Sequence, residues 1–114
     1  MKKSLMILSI LFIVASITIA QDSKIVNKEF QVEGNCNQCK TRIEKAVKID
    51  AVKYAKWNKS TKILKIAFEN TITVDSLQQR IAEVGHDTEK FKAKKETYSE
   101  LPNCCLYRGS SKTH

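Results

Sequence analysis

Two cysteines three residues apart, in Gly34-Asn35-Cys36-Asn37-Gln38-Cys39, are the residues of this chain best spaced for chemistry. Thiols at that spacing in a turn can converge on one ion at ~2.3 Å per sulfur. The turn lies between the end of a predicted strand and the start of a predicted helix. There Cys39 meets unpaired backbone N–H groups and the positive end of a helix dipole, with Lys40 and Arg42 close behind. Both effects favour the thiolate, which is the form that binds metal. A thiolate pair selects soft ions, Cu(I) above all, with Hg(II) and Zn(II) behind. A second pair, Cys104-Cys105, is vicinal. Neighbouring cysteines rarely bridge each other, so it offers a second metal site, a disulfide to the first pair, or free thiols. The 10 residues that follow Lys94 and end at Cys104 reach ~33 Å when extended. The tail can therefore return to the loop and make a closed four-thiolate site, the arrangement of structural zinc or tight storage.

The elements that position these thiols are legible from hydrophobic period. Phe30 and Val32 alternate with Glu29, Gln31 and Glu33, which predicts a half-buried strand ending at Gly34. Ile43, Ala46 and Val47 recur at helical spacing between basic residues, predicting an amphipathic helix over residues 39–49. Val52, Ala55 and Trp57, the polar turn Asn58-Lys59-Ser60-Thr61, then Leu64, Ile66 and Phe68 read as a β-hairpin. Thr73 is an N-cap candidate and Gly85 a C-terminal cap for a second helix over residues 74–84. A last short strand over residues 88–93 completes the order β-α-β-β-α-β. The predicted fold is α+β: a ferredoxin-like βαββαβ sandwich with a four-stranded antiparallel sheet and two helices on one face.

The whole chain is 114 residues with formal charge +8, which excludes a large multidomain enzyme. Met1-Lys2-Lys3-Ser4 followed by the uncharged run Leu5 to Ala20 is the pattern of a secretory signal peptide, shorter than the ~20 residues that span a bilayer. Cleavage before Gln21 is expected, leaving no stable membrane anchor. The predicted organisation is a leader over residues 1–20, one domain over 21–93 and a tail over 94–114. Export points to a periplasmic or secreted protein, where nucleic acid is not an expected partner. Lys40, Arg42, Lys45 and Lys48 rim the first helix beside the loop; they are a solvated face or a docking surface for an acidic metal-transporting or metal-accepting protein. In the tail, Leu101, Leu106 and Tyr107 recover ~1.5–3 kcal/mol each on burial. Ordering the linker costs ~1–2 kcal/mol per residue. Docking is marginal on those numbers, which predicts a tail mobile without metal and ordered with it.

With the strand-Gly-x-Cys-x-x-Cys-helix motif, the Ile43/Val47 helix, the hairpin and Ala82-Glu83-Val84-Gly85 in view, the chain resembles the heavy-metal-associated domain. That domain occurs in bacterial copper chaperones, copper-ATPase modules and the periplasmic mercury-binding protein. The resemblance covers about residues 25–93 and implies a βαββαβ fold and a surface-exposed thiolate pair, at Cys36 and Cys39. The family usually carries Met just before the first Cys, packed under the loop, where this chain has Glu33 and Gly34. His86 directly follows Gly85, and in this topology it comes to the same end as the loop. It is thus an accessory-ligand candidate with Cys104 and Cys105, or a solvated cap residue.

Two other readings use the same thiols. Cys-x-x-Cys at a helix start is also a thiol-disulfide oxidoreductase motif. No Trp-Cys-Gly-Pro-Cys sequence is present, however, and the single Pro, Pro102, is far from the pair. A structural disulfide, or a zinc-bound interaction module using Cys36, Cys39, Cys104 and Cys105, is the remaining alternative. The reading adopted is a non-enzymatic, exported soft-metal-binding protein.

Overall fold

Strand alternation and helical period sort residues 23–109, those described by this computed structural model, into three strands, two long helices and a folded tail. The predicted leader lies outside the described residues. The strands are β1 (Ile25–Gln31), β2 (Val52–Trp57) and β3 (Ile63–Glu69); the helices are α1 (Asn37–Ala46) and α2 (Val74–Glu83). All pairings are antiparallel, in the order β1-β3-β2. Phe30, Leu64 and Trp57 stand opposite one another in one buried row across the sheet. On the other face Glu29, Lys65 and Lys56 form an exposed charged row. Ile43 of α1 and Leu77 and Ile81 of α2 join the strand residues in a single core, so both helices cover the apolar face. Thr73 caps α2 by accepting a bond from Ser76 N–H at 3.1 Å. Asn58 shapes the hairpin turn, its Oδ1 accepting from Ser60 and Thr61 N–H. Among the described residues no helix is long and apolar enough to cross a membrane.

The fourth strand is a correction to the predicted fold: the sheet has three strands, and the segment beyond α2 contributes one isolated bridge, Val32 to Thr88. Side chains have taken the donors that a strand would use. Lys90 N–H goes to Gln78 Oε1 at 3.0 Å, Phe91 N–H to Thr88 Oγ1 at 3.0 Å and Ala93 N–H to Asp87 Oδ1 at 2.8 Å. On β1, Gln31 N–H is met by Glu89 Oε1 at 3.0 Å. With backbone donors satisfied by side chains there is no ladder to extend.

The tail packs on the domain. It forms α3 (Lys95–Ser99) and a single 3-10 turn (Asn103–Cys105), and Leu101, Cys105 and Tyr107 belong to the same core as the strands and helices. Docking, marginal on its three apolar side chains alone, is completed by polar anchors. Tyr107 Oη donates to Gly85 C=O at 2.7 Å and accepts from Asp87 N–H at 2.8 Å. The Arg108 guanidinium bonds Asp87 Oδ1 at 2.8 Å and Ala93 C=O at 2.7 Å.

Gly85 joins helix and tail, at φ +107°, where an added Cβ would lie 2.9 Å from Leu101 Cδ2. Gly85→Ala should therefore cost about 1–3 kcal/mol, combining left-handed strain with displacement of the tail. Urea unfolding of the variant measures this; an unchanged midpoint would show that neither constraint operates.

Candidate metal centre

The loop after β1 is shaped by its first cysteine. Cys36 is the N-cap of α1, extended at φ −147° and ψ 171°, and its Sγ accepts from Cys39 N–H at 3.3 Å. A sulfur at this position takes up an otherwise orphaned helix donor and faces the positive end of the dipole. Beneath the loop lies the indole of Trp57, whose ring carbons and Cys39 Cβ stand 3.0 Å from where a Gly34 Cβ would be. Trp57 Nε1–H donates to Val32 C=O at 2.9 Å and its backbone N–H to Glu44 Oε2 at 3.0 Å. The space under the loop is thus filled by an aromatic ring from β2, and Gly34 is the residue that lets it approach.

Three other sulfurs gather around Cys36. Its Sγ lies 3.1 Å from Cys39 Sγ and 2.9 Å from Cys105 Sγ, and Cys104 Sγ lies 3.8 Å from Cys105 Sγ. Cys36, Cys104 and Cys105 sulfurs all fall within 4.8 Å of one another, and all four cysteines are free thiols. The pair is not surface-exposed as the resemblance implied: Cys36 is 4% exposed and Cys39 0%, because the 3-10 turn brings Cys105 onto the loop. Cys104 alone of the four is half-exposed.

Burial pushes the Cys36 thiol up, but the bonds it accepts from the Cys105 and Cys39 thiols and from Cys39 N–H outweigh it. Cys36 is held below the ordinary thiol value. Burial drives Cys39 up to about 12, against the opposing hydrogen bond from the Asn35 backbone. Cys104 is raised to about 11 by burial and by its bonds to Cys105 and Cys36. Of Cys36, Cys39 and Cys104, Cys36 is the one whose surroundings favour the thiolate.

His86 is brought to the loop but stands behind it. Its Nδ1–H donates to Glu33 C=O at 2.8 Å, while Nε2 faces Arg42 Nη1 at 3.4 Å, and its ring stacks on Tyr107 with centroids 5.5 Å apart. With both ring nitrogens partnered, it braces the loop backbone. Of the four rim cations, Lys45 and Lys48 are exposed. Lys40 is tied to Glu44 and to Trp57 C=O, and Arg42 to His86. Sequence reasoning missed Arg108 and Asp87 as parts of the site, took Tyr107 only as an apolar tail residue, and placed Trp57 only in the hairpin. Only the apolar cluster around Cys104-Cys105 hinted at the tail's role.

No family model matches the sequence, and no curated protein matches it. Solved structures do. A CopZ metallochaperone aligns with TM-score 0.53 at 26% identity, over 55% of this chain and 98% of its own. This domain resembles the heavy-metal-associated domains of bacterial copper chaperones. The water-soluble region of the P-type ATPase CopA from Bacillus subtilis aligns with TM-score 0.53 at 26% identity, over 58% of this chain; the alignment spans 46% of that region. A Bacillus anthracis solution structure aligns with TM-score 0.56 at 23% identity, over 59% of this chain and 99% of its own, a likeness of fold. Heavy-metal-associated architecture and a cluster of three cysteines, Cys36, Cys104 and Cys105, together support metal binding by this chain. One of these neighbours is a metallochaperone and another is the water-soluble region of a P-type ATPase.

Proposed function

We propose that the chain is an exported carrier or sequestering protein for Cu(I), which it binds through Cys36 and Cys39. The observation that carries this reading is Cys36 Sγ at the N-cap of α1, held below the usual thiol range 3.1 Å from Cys39 Sγ. A low-valent soft cation matches thiolates better than it matches any oxygen or imidazole donor nearby. Export to a periplasmic or extracellular space rests on the basic head and apolar run of residues 1–20. The exposed Lys45 and Lys48, in and just beyond the last turn of α1, support docking to an acidic metal-accepting or metal-transporting protein, by speeding encounter. Catalysis forms no part of the proposal.

Anaerobic titration of the purified protein with Cu(I) against a chromophoric chelator, followed by native mass spectrometry, tests the reading. One Cu(I) per chain is expected, with only background insulin reduction in parallel. Zn(II) uptake without Cu(I) uptake, or disulfide turnover at the level of a thioredoxin control, would replace it.

A further inference from the structure

The four sulfurs fall into two sets that share Cys36. One is the loop pair, Cys36 and Cys39, 3.1 Å apart. The other joins Cys36 to the tail, with Cys105 at 2.9 Å and the Cys36, Cys104 and Cys105 sulfurs mutually within 4.8 Å. Three sulfurs around one ion at ~2.3 Å sit roughly 4.0 Å apart. The tail set reaches that spacing by moving each sulfur less than about 1 Å.

The tail set is delivered by contacts that use neither tail thiol. Tyr107 Oη is bonded to Gly85 C=O and Asp87 N–H, and the Arg108 guanidinium reaches both Asp87 oxygens, at 2.8 and 3.1 Å. Arg108 N–H donates to Tyr98 Oη at 2.9 Å, and its guanidinium lies 4.2 Å from the Tyr98 ring centroid. Leu101 packs at Gly85. A latch on either side of the 3-10 turn therefore holds Cys105 against the loop through contacts independent of the thiols, which lowers the ordering cost of a third ligand.

We propose that the C-terminal segment is a ligand-bearing strap: Cys104 and Cys105 join Cys36 to hold Cu(I) in a closed three-thiolate site. Release proceeds through the Cys36–Cys39 pair once the strap lifts. Each Cu–S bond formed expels one thiol proton to solvent; copper stays Cu(I) and no electron moves. Cys36 remains bound throughout, so the ion shifts between the two sets without passing through water. Cys104, half-exposed where the other three are buried, is the portal ligand. This inference rests on the proposed Cu(I) reading and adds to it the control of release.

X-ray absorption at the copper edge on the full, loaded chain should count three sulfurs in the natural protein and two in Cys104→Ser/Cys105→Ser. Removal of Cu(I) by excess chelator should be at least about tenfold faster in that variant, since losing even an outer partner of a ligand typically costs 10–100-fold. Tyr107→Phe keeps every thiol and cuts two latch bonds; it should keep three sulfurs and release faster. Two sulfurs in the natural protein, or equal removal rates in all three proteins, would overturn the strap. A natural protein that takes up no Cu(I) at all would instead overturn the underlying reading.

Discussion

Cys36→Ser/Cys39→Ser should abolish competition for Cu(I) against the chelator while leaving the far-UV circular dichroism unchanged. Serine is a hard donor that does not ionise near neutral pH, so both loop sites vanish together. Structural metal sites are held by roughly 10–16 kcal/mol over about four ligands, so each lost thiolate should weaken binding about a hundredfold or more. The fold survives because Ser is itself a strong N-cap and can accept the Cys39 N–H bond that Cys36 Sγ accepts now. At position 39 a hydroxyl can donate to Asn35 Oδ1 as the thiol does. The single variants should be unequal, with Cys36→Ser the more damaging because Cys36 touches both the loop and the tail sulfurs. Undiminished Cu(I) affinity in the double variant would rule out the loop as the site.

Metal-free protein should lose stability as pH falls from about 6.5 to 4, and His86 should account for one proton of that slope. Burial pushes the His86 imidazole down to about 4; the Glu33 C=O bond opposes this, and nearby Arg42 adds to it. Below about 6.5 the unfolded chain takes up a proton that the folded chain refuses, so unfolding becomes easier with acid. The total loss is on the order of 3 kcal/mol, and the contribution levels off below about 4, where the folded state protonates too. The Asp87 carboxyl, which burial raises but Arg108 pulls below its ordinary value overall, adds a further loss at still lower pH. Urea unfolding across this range measures the slope. His86→Asn keeps an N–H donor for Glu33 and removes the titration, so its profile should be flatter by one proton between 4 and 6.5. Identical slopes in both proteins would mean that His86 is not held neutral by burial.

The helices, the hairpin and the loop thiols were legible in the sequence because each is encoded within a few residues. Thr73 capping Ser76, the 3–4 spacing of Ile43 and Val47, and the alternation of Leu64, Ile66 and Phe68 are local statements of period and hydrogen bonding. So was the pairing of Cys36 with Cys39, three residues apart across a helix start. The fourth strand is where local pattern misled, since the alternation around Thr88 to Ala93 says nothing about Gln78, Thr88 and Asp87 side chains capturing its donors.

The sequence by itself determined the first strand, the hairpin and the two long helices, which face of each is apolar, and that two thiols stand at the start of the first helix. Tertiary structure alone decided what surrounds that loop. Trp57 fills the space beneath it, His86 spends its ring nitrogens on Glu33 and Arg42, and Cys105 arrives beside Cys36 from 69 residues away. None of these contacts has a periodic signature. They depend on long-range packing and on single hydrogen bonds, such as Tyr107 to Gly85, whose partners become neighbours only when the core closes.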